Sequence, residues 1–328
     1  MEKIRGLIIE KIKKDFRDKK ISVLLAWEKD EDLLSENSLE STPAFIENEK
    51  DAEKVVWDEF CINNLSKYLL KELQHNEKVG IILKGCDALG FNQLVNDNRI
   101  DKERVITYGV PCSGMVDLKK VNRLGLKDEV IEIERIESGY EIITKSEKVK
   151  VSKSDIDFNK CLHCENKNVE GTNEFIGEPL KLEKNIETGK KTDKFQEVKE
   201  IEAMSHDERY EYWISEFKKC IRCNACRNVC PSCNCLTCVF DDSNTDVLGK
   251  ANTESETGFY QLIRAYHIAG RCTQCGECER ICPMEIPLGK LNKKIIKDLD
   301  ELYEEKEDPL IKYQLDDMDT FTEKGGKK

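Results

Sequence analysis

The run Cys220-Ile-Arg-Cys223-Asn-Ala-Cys226-Arg-Asn-Val-Cys230-Pro231 spaces its thiols as C-x2-C-x2-C-x3-C-P, and Cys272, Cys275, Cys278, Cys282 and Pro283 repeat that spacing. No other feature of the sequence restricts the fold so tightly. In two-cluster ferredoxins the first three thiolates of such a run wrap three corners of one 4Fe-4S cubane, and the fourth ligates the other cluster. The spacing predicts Cys220, Cys223, Cys226 and Cys282 for one cluster and Cys272, Cys275, Cys278 and Cys230 for the other. Structural zinc more often takes two separated C-x2-C or C/H pairs. Each proline lacks an amide hydrogen and fixes its own φ, which turns the chain away after the fourth ligand.

The sequence has 16 cysteines, so eight remain. Cys161 and Cys164 form a C-x2-C pair around His163, while Cys86 (KGCDALG) and Cys112 (GVPCSGMVD) each follow a predicted strand. In a parallel sheet both loops open at the carboxyl ends of the strands, where such sheets bind ligands. These four are candidates for a third 4Fe-4S cluster, against the alternative that Cys86 and Cys112 are small buried residues. Cys233, Cys235 and Cys238 in PSCNCLTC are too dense for packing alone and are read as ligands of a further cluster or zinc. Their fourth partner is open: Cys61, a side-chain oxygen, or the site begun by Cys161 and Cys164. Cys61 itself reads as core. His75, His206 and His267 are assigned no metal, and His163 is an alternative ligand because imidazole replaces thiolate in some clusters.

Clustered thiols in a 328-residue chain that opens on MEKIRGLIIEKIKKDF point to metal ligands in a reducing compartment rather than disulfides. That N-terminus interrupts its apolar positions with charge, so it reads neither as a signal peptide nor as a spanning helix. The expectation is a cytoplasmic protein in an anaerobic setting, without a membrane span. With 65 acidic against 53 basic residues the net charge is −12, which argues against nucleic acid as a partner.

Along the chain, residues 1–54 read as a helix and strand followed by an acidic, solvated segment from residue 28. Residues 55–180 read as an α/β domain. There the helical spacing of Val55, Val56, Phe60, Leu65, Tyr68 and Leu69 predicts a helix over 55–75, the runs VGIIL and RVITYGV predict buried strands, and DALGFNQLVND predicts the helix between them. The alternation implies a parallel sheet, and EVIEIERI-ESGY-EIITKSEKVKV adds an antiparallel hairpin. Residues 181–210, rich in Lys and Glu, read as a linker. Residues 211–305 form a mainly helical two-cluster domain, with helices from RYEYWISEFKK, GFYQLIRAYHIAG and roughly 288–304, and residues 306–328 are an acidic tail.

The chain shows no G-x-G-x-x-G fingerprint, P-loop, G-x-S-x-G elbow or H-E-x-x-H helix, so neither hydrolytic chemistry nor a catalytic residue is singled out. KGCDALG at 84–90, GVPCSGMVD at 109–117, CLHC at 161–164, KCIRCNACRNVCPSCNC at 219–235 and AGRCTQCGECERICPMEIPL at 269–288 together resemble the iron-sulfur flavoprotein β subunits of coenzyme F-420-reducing hydrogenase and formate dehydrogenase. The resemblance implies a subunit that relays electrons between a partner's catalytic centre and a flavin or soluble carrier. FAD is one cofactor it would bring, though no flavin motif can be matched residue by residue. The expected function is an electron-transfer subunit of an oxidoreductase complex, with other subunits, ferredoxin or a flavoprotein as partners. The alternatives are a flavin-containing catalytic subunit that reduces a deazaflavin, and a non-enzymatic iron-sulfur assembly or sensing protein.

Overall fold

The computed structural model describes residues 1–29, 39–181, 193–242, 251 and 253–303. Among these, one compact unit takes in residues 1–88 and 101–181, and the other residues 89–100 and 193–303.

The first unit is built on a five-stranded mixed sheet in the order β2-β1-β3-β4-β8, from β1 (Val23–Lys29), β2 (Ser41–Ile46), β3 (Val79–Leu83), β4 (Val105–Gly109) and β8 (Glu174–Phe175). β1, β3, β4 and β8 run parallel, and β2 pairs antiparallel with β1 at the edge. Every residue of β3 is buried, as a strand covered on both faces requires. Helix α1 (Glu2–Arg17) is pinned to the sheet by Asp15, whose Oδ2 accepts from the Tyr108 hydroxyl at 2.7 Å. Burial alone would push the Asp15 carboxyl up, but the hydrogen bonds of Tyr108, Lys20 and Lys11 outweigh it and hold the group below its usual value. A second sheet, β5 (Val130–Ile136), β6 (Gly139–Thr144) and β7 (Lys148–Val151), is an antiparallel meander, one strand more than the predicted hairpin. The unit also holds α2 (Leu69–His75), the start of α3 (Gly85–Asn96), and the short helices α4 (Leu118–Asn122), α5 (Lys153–Ile156) and α6 (Asn159–Leu162).

The expected helix over 55–75 exists only from Leu69, after a 3-10 turn at Ser66–Tyr68. The apolar positions Val55, Phe60, Leu65 and Leu69 are buried as their spacing suggested. Their backbone serves other partners: Val56 N–H donates to Trp27 O, and Asn63 O accepts from both Trp27 Nε1 and Lys84 Nζ. Tertiary hydrogen bonds override a helical pattern that carries the weak helix formers Asp58, Asn63 and Asn64. The acidic segment after residue 28 likewise contains more than solvated chain, since residues 41–46 form β2; residues 30–38 lie outside the described residues.

The second unit is helical, with α7 (Gln196–Glu202), α8 (His206–Phe217), α9 (Ala225–Asn228), α10 (Glu254–His267), α11 (Glu277–Arg280) and α12 (Leu288–Tyr303). A capping box of Ser205 and Glu208 starts α8, and Thr253 caps α10, in keeping with the preference for short side-chain acceptors there. The expected linker at 181–210 is helical over α7 and the start of α8, and residues 182–192 lie outside the described residues. Helix α7 docks on α12 through Glu197–Lys293 at 3.0 Å and Glu202–Lys297 at 2.9 Å. The Lys and Glu content that suggested a linker supplies these pairs. Among the described residues no helix is long and apolar enough to cross a membrane.

Candidate metal centres

The two cysteine runs of the helical unit adopt one backbone conformation twice. In the first, Arg222 and Asn224 take left-handed φ values of 52° and 61°; in the second, Gln274 and Gly276 take 53° and 71°. Each loop then enters a one-turn helix, α9 or α11, with Asn228 N–H bonded to Asn224 O and Arg280 N–H to Gly276 O, both at 3.0 Å. The left-handed residues turn amides toward the thiols: Arg222 N–H reaches Cys220 Sγ at 3.4 Å. Such nests of successive N–H groups suit a negatively charged cluster.

A cleft is lined by Cys220, Cys223, Cys226 and Cys282, with Tyr260, Gln261 and Ile286 among its walls. Its thiols are the set expected from crossed ligation, with Cys282 arriving from the second run. Cys226 is pushed up by burial, and the thiols facing it are Cys220 and Cys282. The other set shows the same signature. Cys278 is pushed well up by burial, with Cys230, Cys272 and Cys275 around it, and Cys272 is raised to about 12 by burial, with Cys230 and Cys275 near. Side-chain amides serve one set each: Gln261 Nε2 donates to Cys220 Sγ at 3.2 Å and Asn292 Nδ2 to Cys278 Sγ at 3.5 Å.

Four of these thiols, Cys220, Cys226, Cys278 and Cys282, belong to one apolar cluster with Phe217, Ala265, Ile286, Leu288 and Leu291. Among the described residues no three Cys, His, Asp or Glu side chains converge as a single-ion site. A cubane distributes its ligands over separate iron corners, and the thiol-walled cleft and amide donors fit that group. A polar clasp joins the two loops: Asn234 Nδ2 donates to Asp97 Oδ2 at 2.6 Å, Arg271 pairs with Asp97 at 3.4 Å, and Ser232 Oγ donates to Arg271 O at 2.6 Å.

In the sheet unit, Cys86 and Cys112 sit just beyond the parallel strands β3 and β4. Below Cys86 lies a buried ion pair, Lys84 Nζ to Asp87 Oδ2 at 2.8 Å, with the ammonium 4.4 Å from the Trp27 ring centroid. Asn64 Nδ2 and Ser66 Oγ donate to the carbonyls of Cys86 and Asp87 at 3.1 and 2.6 Å, so the 55–66 segment braces this loop. Beyond Cys112 the chain bridges from Val116 to Asp157, and Phe158 N–H bonds to Met115 O, which leads into α6 with Cys161 and then Cys164. Cys112 N–H returns to Lys167 O at 2.8 Å.

Two glycines allow this closure. A Cβ on Gly85 would stand 1.7 Å from Asn166 O, and one on Gly114, at φ +120°, 2.6 Å from Asp157 Oδ2. Burial raises Cys112 to about 12, with Cys161 and Cys164 near it, and Cys86 is pushed well up by burial and Asp87, with Cys112 near. Lys160 and Lys167 lie close to Cys164, and their charge would offset that of a thiolate-bound cluster. Buried thiols that readily hold protons would release them to metal.

The remaining thiols are not gathered in this way. Cys233 hydrogen-bonds Cys230, whose thiol is held low chiefly by that contact; Cys238 lies beside Arg227; Cys235 is exposed next to the 88% exposed Leu236. Cys61 is core, buried against Asp58 and Val56 O, and His267 stacks on Phe240. Residues that sequence reasoning missed are Lys84, Asp87, Gln261, Asn292 and Arg264. The one signal available was an arginine on the same helical face as Tyr260, Gln261 and Ala265, a face otherwise apolar or neutral.

The fold and its thiol sites define an iron-sulfur electron-transfer protein with a helical dicluster module. The family described as 4Fe-4S dicluster domain matches residues 216–286, which span both cysteine runs. Over most of its length the chain is similar to the F420-dependent formate dehydrogenase subunit beta of Methanocaldococcus jannaschii, with 26% identity covering 83% of each chain. It is also 26% identical to the F420-dependent formate dehydrogenase 1 subunit beta of Methanococcus maripaludis, covering 78% of this chain and 79% of the relative. A chain of the F420-reducing NiFe hydrogenase complex from Methanosarcina barkeri superposes on half of this chain and 62% of its own length, at a TM-score of 0.38 and 14% identity, too loose to define a common fold.

Proposed function

We propose that this chain is the electron-relay subunit of a cytoplasmic, anaerobic oxidoreductase complex, carrying single electrons through three 4Fe-4S clusters. Two occupy the helical unit on the crossed ligand sets, and the third is held by Cys86, Cys112, Cys161 and Cys164. The observation that carries this reading is the cleft walled by Cys220, Cys223, Cys226 and Cys282, in which one run supplies three thiols and the other run one. Crossed ligation makes the two clusters neighbours, and neighbouring clusters in a low-dielectric core conduct electrons without chemistry of their own. Potentials are set by hydrogen bonds to sulfur, by net charge and by exposure. The relatives, both β subunits of formate dehydrogenases named as F420-dependent, support other redox subunits as partners and a deazaflavin as the carrier class at one end of the relay.

Iron and sulfide analysis of anaerobically purified protein, with EPR after reduction, tests the count. Three clusters require about twelve irons per chain and two require about eight. Ligand crossing is tested by Cys282→Ala. The variant is expected to lose the cluster held by the first run and keep the one held by the second run's own triplet. Loss of the second run's cluster instead would refute the crossed sets.

A further inference from the structure

On the buried face of α10, Arg264 is 1% exposed and lies beside Gln261 and Ala265. Its Nε donates to Gln261 Oε1 at 3.2 Å, while Nη1 and Nη2 are buried with no hydrogen-bond partner. The ionisable groups that face it are Cys278, Cys226, Cys230 and Cys233. Cys226 belongs to one ligand set, and Cys278 and Cys230 to the other. A guanidinium does not shed its charge in a protein, and an uncompensated buried cation is strongly destabilising. The counter-charge available to it is that of those thiols and of what they bind.

We infer that Arg264 is the shared counter-cation of both 4Fe-4S sites in the helical unit, aiming its two unpartnered amino groups at cluster sulfur and setting the potentials of both clusters together. The inference rests on the ligand sets proposed above. Reduction adds one negative charge to a cluster, and a fixed cation in a low-dielectric core favours the reduced form, which raises the potential. Arg264 differs in this from the amides of Gln261 and Asn292, each of which reaches a thiol of one set only. Through Gln261 it also orients the donor to Cys220, so Arg264 is a positioning residue as well as a charge.

The test is an EPR-monitored redox titration of full-length, anaerobically purified protein carrying Arg264→Gln, with iron and sulfide measured on the same sample. The expected result is unchanged iron and a fall in both helical-unit midpoints, each equivalent to at least tenfold in the one-electron equilibrium, or about 59 mV. Arg264→Lys retains the charge and is expected to keep both midpoints within about threefold of wild type. Unchanged midpoints in the Gln variant, or a shift in one cluster only, overturns the proposal. Should the Gln variant load no iron, the Lys variant decides alone: two loaded clusters near wild-type midpoints uphold the role, and a tenfold fall in either, or failure to load, overturns it. A wild type that lacks two clusters, or a Cys282→Ala variant that loses the wrong one, refutes the ligand sets and is distinguishable from either result.

Discussion

In the helical unit each proposed ligand triplet is preformed within a single short loop, and the left-handed backbone positions that shape it recur in the second run. In the sheet unit the four thiols come from three separate stretches of chain. On the proposed assignment they depend on Gly85 passing against Asn166 O, on the loop after Cys112 bridging to Asp157, and on the buried Lys84–Asp87 pair holding the KGCD turn. A site of the first kind depends on local backbone geometry and tolerates change outside it. A site of the second kind depends on the packing of the whole unit, and a backbone substitution that leaves every thiol in place should destroy it.

The largest effect separating the two is expected from Gly85→Ala. The added Cβ meets backbone oxygen at 1.7 Å, so one loop must move, at a cost in the upper range for single substitutions, about 4 kcal/mol or more. Iron analysis should show about four irons lost, with the EPR signals of the helical unit retained. Equal loss from both units would break the comparison.

Lys84→Met should come next. It removes the ammonium that neutralises the buried Asp87 carboxylate, a loss on the order of 3 kcal/mol that would appear as a lower urea midpoint for the sheet unit. The pair also has a pH signature. Burial alone would lower the Lys84 pKa, but the ion pair and hydrogen bond with Asp87 outweigh it and hold it above the usual lysine value. A group raised on folding stabilises below its unfolded pKa, about 10.4, and that contribution is lost as pH rises through the folded value. The alkaline fall in stability should therefore be steeper in the wild type than in the Met variant.

The smallest effect is expected from Gly276→Asn. Position 276 has the left-handed φ that Asn224 already adopts at the equivalent point of the first run, and asparagine tolerates that region. Stability should change by about 0.5 kcal/mol or less, with iron content intact. Loss of a cluster here would mean that the runs are not interchangeable.

How much could be read in advance follows the same division. The C-x2-C-x2-C-x3-C-P runs carry their geometry in local spacing, and VGIIL and VITYG were recognisable as buried strands by apolar continuity. The segment 55–66 was misread because its buried side chains keep helical spacing while Val56 and Asn63 give their backbone groups to Trp27 and Lys84, contacts that no local pattern records. Edge strand β2 was hidden in an acidic stretch and by Pro43, which an edge strand accommodates. α7 was hidden by charges that pair across to α12. Arg264 needed the helix and both loops before its unpartnered amino groups had meaning.

The interleaving of the two runs also bears on how such a chain is made. With the proposed ligand sets, the site that begins at Cys220 is the last to be completed, because its fourth thiol is Cys282, and the set containing Cys230 waits for Cys278. No partial product that ends between the runs can close either cubane. Iron loading is thereby tied to synthesis of the whole module, and a chain released before Cys272 would hold neither cluster.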